Sequence, residues 1–309
     1  MNFYQKNKKV IWFSAIVLGI YVIYRALQKK INPKMRKNKT LVVANNSYID
    51  NGKGINLPNC FSNMDQLIRN NVDIIEVSLQ MTYDRVPIIY SSTALDDLTN
   101  GLGWVKNKSW EQISKLSYKK FPNERIHRFS DLTASLKKYK SDTIIYISNA
   151  TDKLISDMND LGLFKNFETQ ILVKGSLSEK PVAVYNAKIM YMNTLSYSYV
   201  GKMTTLSKVN EVAQKSKQCQ FVRLQCSKDD TMVLNGKLSQ ALAGVGCRLW
   251  VDVFDPKLSL PSSLDGDNIP QWSQMIGLLK AGAIVTNKPL LLEQNLSTQT
   301  GFTAPEVIN

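Results

Sequence analysis

From Lys39 onward the chain alternates short runs of β-branched and apolar residues with longer stretches whose apolar positions recur every three or four residues. Runs of the first kind predict strands; stretches of the second kind predict helices with one buried face. The strand candidates are Leu41 to Ala44, Ile74 to Leu79, Val86 to Tyr90, Thr143 to Ile147, Gln170 to Val173, Ala183 to Tyr185, Ile189 to Met192, Phe221 to Leu224, Arg248 to Phe254 and Ala283 to Thr286. Helical spacing is found in Phe61 to Asn70, Trp110 to Leu116, Ser130 to Tyr139, Leu206 to Lys217, Gly236 to Leu242 and Trp272 to Lys280. Strand then helix, repeated this often, predicts an α/β fold of the (β/α)8 TIM-type barrel in preference to a sandwich. A closed barrel of this kind needs eight strands, so two of the ten candidates are expected to be loops or short extensions.

Ahead of this alternation lies a different pattern. Val10 to Tyr24 contains no charge and is bracketed by Lys6, Lys8 and Lys9 on one side and Arg25, Lys29 and Lys30 on the other. Ala26, Leu27 and the stem of Arg25 extend the apolar length toward the roughly 20 residues that span a bilayer. The expected organisation is a basic tail (1–9), a single transmembrane anchor (10–27), a basic juxtamembrane linker (28–39), the barrel (40–296) and a C-terminal tail (297–309). A cleaved signal peptide is the rival, but no small-x-small cleavage site follows Tyr24. Basic residues are more numerous after the run than before it, which favours a cytoplasmic barrel, and the downstream cluster suits anionic headgroups.

At 309 residues and 44% hydrophobic content, the chain can bury one barrel-sized core with a short appendage. The formal net charge of +14 resembles a nucleic-acid footprint until its distribution is considered: residues 1–40 hold ten Lys or Arg and no acid, leaving +4 for the remainder. Without a zinc-finger spacing or a basic stripe interleaved with aromatics, no nucleic-acid partner is expected. Cys60, Cys219, Cys226 and Cys247 are too scattered for a disulfide framework or a metal cluster and read as buried apolar residues, a single bridge remaining open. The sole histidine, His127, excludes a Ser-His-Asp hydrolase combined with a separate histidine metal site.

Three segments carry a resemblance. Asn71 to Gly103 holds two strand candidates followed by a T-A-L-D-D-L-T-N-G-L-G loop; Arg125 to Leu132 reads RIHRFSDL; Ile284 to Glu293 reads IVTNKPLLLE. In order and spacing they resemble the glycerophosphodiester phosphodiesterase family over roughly residues 40–296, with Asp96, Thr99, Asn100, Gly101 and Gly103 matching directly. The resemblance implies a TIM barrel hydrolysing glycerophospholipid-derived diesters, with a divalent cation on acidic side chains and two histidines as acid and base. At the positions it would assign to the histidines stand Asn45 and Ser91. Pro58 replaces an acidic ligand beside the retained Asn59, Glu76 is kept while Ser78 replaces its acidic partner, and Tyr146 and Ser148 replace a Glu-x-Lys pair.

These exchanges bear on chemistry directly. A hard cation needs several oxygen ligands, so Glu76 alone is expected to be only a remnant metal ligand, or equally to pair with a cation such as Arg223. Neither amide nor hydroxyl titrates near neutrality, and acid-base catalysis contributes roughly 100- to 10,000-fold per group. The expected function is a membrane-anchored pseudoenzyme of this family that binds a phosphate-containing or lipid-headgroup ligand, or a protein partner, through Asn45, Asn59 and Ser148, with no cofactor. The alternative is an active phosphodiesterase, using Ca2+ or Mg2+, with a site rebuilt around Glu76 from Asp50, Lys174 or Asp252. His127 is expected to start a helix without a chemical role, and Asn100-Gly101 to form a turn of positive φ.

Overall fold

The computed structural model describes residues 32–36, 39–47, 49, 57–175, 182–195, 206–217, 219–224, 236–252 and 281–298. The chain divides into two compact units, Met1–Lys37 and Asn38–Asn309. In the first, Pro33–Arg36 form a 3-10 turn. The expected anchor at 10–27 lies outside the described residues, among which no helix is long and apolar enough to cross a membrane.

In the second unit eight parallel strands close a barrel: β1 (Leu41–Ala44), β2 (Ile74–Val77), β6 (Ile144–Ile147), β7 (Ile171–Gly175), β8 (Met190–Leu195), β9 (Phe221–Leu224), β10 (Arg248–Asp252) and β11 (Ala283–Thr286). Their spatial order is β1-β11-β10-β9-β8-β7-β6-β2, and β1 pairs with β2 to complete the ring. Strands packed on both faces read as continuous apolar runs, and all of Leu41, Val42, Val43 and Ala44 are fully buried. Alternate residues serve different cores. Val42, Ile75, Ile145, Val173, Val222 and Ile284 pack outward with helical residues such as Met64, Leu67 and Leu132. Tyr146 on β6 meets Trp250 on β10 edge-on with ring centroids 5.2 Å apart, although three strands separate β6 from β10 around the ring. Only the barrel interior lets them touch.

Three short strands form a separate antiparallel sheet: β3 (Leu79–Met81), β4 (Pro87–Ile89) and β5 (His127–Arg128), in the order β3-β4-β5. A single residue, Ser78, separates the end of β2 from the start of β3, so this insert leaves directly from the C-terminal mouth of the barrel. It has its own apolar centre of Leu57, Cys60, Ile88, Tyr90, Leu95, Val105, Ile113, Tyr118 and Ile126.

The surplus of strand candidates resolves here. Val86 to Tyr90 belongs to the insert, and Ala183 to Tyr185 is not a strand but part of the helix Val182–Ala187. The alternation of that segment suggested a strand, but Val184 is buried in the layer between barrel and helices. Helices appear close to the expected spans at Phe61–Arg69, Trp110–Ile113, Phe129–Tyr139, Leu206–Lys215 and Lys237–Ala243; the candidate at 272–280 lies outside the described residues. Helices at Asp152–Asp160 and Pro289–Thr298 were not anticipated. His127 lies in β5, two residues ahead of a helix, with its ring stacked on Phe61 at a centroid separation of 4.0 Å. The positive φ of the T-N-G-x-G loop falls on Gly103 (+87°) rather than on Asn100 or Gly101. At Gly101 a Cβ would lie 2.5 Å from Leu116 Cδ1, so a larger residue there would displace the end of that side chain. Cys60, Cys219 and Cys247 are buried free thiols, while Cys226 lies outside the described residues.

Candidate active site

The strand ends at the C-terminal mouth are where barrels of this type place their chemistry. One charged group dominates them. Arg223 on β9 donates from Nε to Asp252 Oδ2 at 2.7 Å and from Nη1 to the Tyr146 hydroxyl at 3.1 Å, and its Nη2 also lies 2.7 Å from Asp252 Oδ2. Trp250 Nε1 donates to the other Asp252 oxygen at 3.0 Å. The side chains of Arg223 and Asp252 are only 12% and 3% exposed, so this pair is insulated from the solvent screening that weakens surface pairs. Burial alone would lower the Arg223 pKa, but Asp252, Tyr146 and Glu76 raise it, and the guanidinium stays charged. Burial pushes the Tyr146 phenol up, so it stays neutral.

Glu76 on β2 faces the same charge. Burial pushes its carboxyl above the ordinary carboxylate range; Arg223 opposes the shift, Asp252 adds to it, and contacts with Ser148 and the Asn46 backbone oppose it. Its Oε2 is buried without a hydrogen-bond partner among the described residues, as are Asn59 Nδ2, Asn193 Oδ1 and Thr194 Oγ1. Thr194 pairs in register with Arg223. Orphaned buried polar atoms are costly, about 1–3 kcal/mol each; Glu76 and Thr194 lie on the inward face with Tyr146 and Arg223, their register partners, whereas Asn193 is in register with outward-facing Val222.

The remaining expected site residues divide between scaffold and mouth. Asn45 donates to Asn287 Oδ1 at 2.9 Å and accepts from Asn46 Nδ2 at 3.2 Å, tying the end of β1 to the segment after β11. Asn59 accepts the Ser78 N–H at 2.8 Å through Oδ1, holding the end of β2 while its amide nitrogen stays unpaired. The Ser78 and Ser148 hydroxyls lie 3.4 Å apart. Ser91 is exposed, one residue beyond Tyr90, whose N–H bonds the Ser78 carbonyl. Pro58 has no N–H and supplies no charge. Asn46, Ser47 and Asn59 all adopt positive φ, a concentration of backbone strain of the kind found at binding sites. Lys174 is exposed at the mouth end of β7, and Asp50 lies outside the described residues.

Of the pairings anticipated for Glu76, the structure brings it within electrostatic reach of both Arg223 and Asp252, but the direct ion pair belongs to Arg223 and Asp252. Sequence reasoning missed Trp250 and Thr194, which look like ordinary apolar and strand residues. The signal available for Arg223 and Asp252 was a charge inside an otherwise apolar strand.

The described residues do not fit a divalent cation. No three His, Cys, Asp or Glu side chains converge among them, and Asp252 is already committed to a guanidinium that would repel the ion. Asp252 offsets Arg223, and burial works against a charge on Glu76, so the centre is not the strongly negative cluster that a divalent cation needs.

Comparison with known proteins agrees with this architecture. YhdW of Bacillus subtilis (strain 168), whose name places it provisionally among the glycerophosphodiester phosphodiesterases, is 32% identical over 83 residues, 26% of this chain; the match spans 34% of YhdW. Among solved structures, a glycerophosphodiester phosphodiesterase from Agrobacterium tumefaciens aligns with a TM-score of 0.55 at 18% identity, covering 82% of this chain and 99% of that one. An Oleispira antarctica phosphodiesterase, solved in complex with the product sn-glycerol-3-phosphate, aligns with a TM-score of 0.56 at 12% identity over 84% of this chain and 98% of its own. These structures share the fold. The family model described as "Glycerophosphoryl diester phosphodiesterase family" matches residues 51–218, and the chain belongs to that family.

Proposed function

We propose that this chain takes a glycerophosphodiester at the C-terminal mouth of its barrel and hydrolyses it with a site rebuilt around Glu76 and Arg223. The observation that carries the reading is the Glu76 carboxyl: buried, with one oxygen unpartnered, beside a guanidinium that keeps two of its five N–H donors free of the Asp252 and Tyr146 contacts. Arg223 receives the phosphate oxygens and stabilises charge developing on them. Water adds to phosphorus, the P–O bond to the alcohol breaks, and Glu76, whose proton-bearing form burial favours, gives its proton to the departing oxygen. The proton lost by the attacking water passes to solvent, from which Glu76 is reprotonated. Family membership and the character of the structural relatives favour turnover.

A second reading, binding without turnover, is favoured by a specific observation: the amide of Asn45 and the hydroxyl of Ser91 stand where the family resemblance calls for acid and base. In either reading residues 10–27 anchor the chain in a membrane, and the excess of basic residues behind that run supports a cytoplasmic barrel.

The two are separated by 31P NMR of glycerophosphocholine with the full chain purified in detergent. Hydrolysis predicts a growing glycerol phosphate signal that persists in EDTA and falls about 100-fold or more in Glu76→Gln and in Arg223→Met. A saturable broadening of the substrate signal without product establishes the second reading. Loss of turnover in EDTA would overturn the cation-free site, and neither product nor broadening would sink both readings.

A further inference from the structure

Five large apolar side chains are exposed among the described residues: Tyr83 (76%), Leu102 (77%), Trp104 (53%), Leu161 and Leu291. The first three belong to the insert, whose hairpin tip is tied to the flank of the barrel by Arg85 on Asp157 at 3.2 Å, and backbone hydrogen bonds gather them. Tyr83, at the tip of the β3–β4 hairpin, donates its N–H to the Lys108 carbonyl at 2.9 Å. Trp104 bridges to Ala94, and its carbonyl accepts the Asn107 N–H at the start of the turn leading to Lys108. Leu102 stands two residues before Trp104, next to Gly103, whose φ is +87°. Lys106 is exposed and Lys108 half-buried in the same turn. Three exposed acids share the insert: Asp84 accepts from Thr82 Oγ1 and the Trp110 N–H, Asp96 accepts the Gly103 N–H, and Asp97 accepts from Ser92 Oγ.

A Tyr, a Trp and a Leu at a loop tip rimmed by lysines is the composition of a surface resting in the headgroup layer of a bilayer. There the rings sit at the polar boundary and the ammonium groups meet anionic phosphates. A protein partner would equally cover apolar rings, but Tyr and Trp beside lysines at one loop tip is the arrangement of the headgroup boundary. From this chemistry the geometry points to the insert as a membrane-contact surface: Tyr83, Leu102 and Trp104 dip into an anionic bilayer, with Lys106 and Lys108 at its surface. This does not depend on what the mouth binds or whether it turns over.

Spin labels test it in the full chain reconstituted into vesicles. Leu102→Cys is labelled in a Cys226→Ala background, since the other three cysteines are buried. Lys217→Cys, exposed between the helix Leu206–Lys215 and the start of β9 and so at the base of the barrel, is the control. With phosphatidylserine in the vesicles, the label at 102 gains access to oxygen and loses access to a water-soluble nickel chelate, while the label at 217 stays aqueous. Replacing Lys106 and Lys108 together by Gln shifts the docked-to-free ratio about 30-fold toward free. A label at 102 that remains as aqueous as that at 217 overturns the proposal. So does one that becomes immobilised without vesicles as protein concentration rises, which would assign the patch to a second copy of the chain.

Discussion

Glu76 occupies a position where burial and a neighbouring acid raise its pKa while Arg223 restrains the rise. Between the unfolded pKa and the raised folded one, the folded state holds one proton more than the unfolded state, so stability contributed by this group falls as pH increases through that window. Glu76→Gln removes the titration. Its unfolding free energy relative to the parent should therefore climb from about pH 4.5 upward, by about 1.4 kcal/mol for each pH unit until the folded pKa is passed. Paired urea titrations across that range would read it, and a difference independent of pH would contradict it. Arg223 and Asp252 are a different case, a buried pair in which either partner alone would be left as an uncompensated charge. That Glu76 survives where its neighbours changed was legible in the sequence. That Asp252 rather than Glu76 holds the arginine was not, because the choice depends on the inward alternation of β9 and β10 and on a Trp250 indole that fixes one carboxylate oxygen.

Single polar side chains set how the insert is mounted on the barrel. Asn149 accepts the Leu79 N–H at 2.9 Å and donates to the Leu79 carbonyl at 2.7 Å, so one amide on the β6 side takes both main-chain groups at the start of β3. Asn149→Ala leaves those groups without that partner at a cost of about 1–3 kcal/mol. Amide hydrogen exchange should then quicken at Leu79 and through residues 79–128, while β7 to β10 keep their protection; uniform quickening would show that insert and barrel open as one unit. Elements of this kind also show where pattern reading stops. The helix Asp152–Asp160 has only Leu154, Ile155 and Met158 to bury and is otherwise polar, so its period is faint; Thr151, capping Leu154 N–H, is the cue that was available. Ala183 to Tyr185 has the alternation of a strand, yet packing against the barrel makes it helical. Trp110–Ile113 is shorter than its apolar spacing suggested, but its Ser109–Gln112 capping box is written plainly in the sequence.

Over the whole barrel, the base opposite the mouth is pinned by its own buried charge. Asp73 is fully buried, accepts the Val42 N–H at 3.1 Å and lies 2.9 Å from Lys39 Nζ, joining β1 to the start of β2. Close by, Arg248 donates to the Lys39 carbonyl and Thr40 Oγ1 to that of Ala281. Asp73→Ala should destabilise the whole unit by about 3 kcal/mol or more, lowering the urea midpoint as a single cooperative transition with unchanged slope. Repeated strand-then-helix pattern was enough to predict the closed ring, because eight of the ten runs did form its staves; where the charges would meet inside it was beyond pattern alone. The ring is sealed by β1 lying in register with β11, Leu41 against Ala283 and Ala44 against Thr286. On a ribosome, the first stave therefore emerges long before its last neighbour exists. A nascent chain must keep the sticky edge of β1 covered while more than two hundred further residues are synthesised, which makes β1 the natural target for a chaperone during translation.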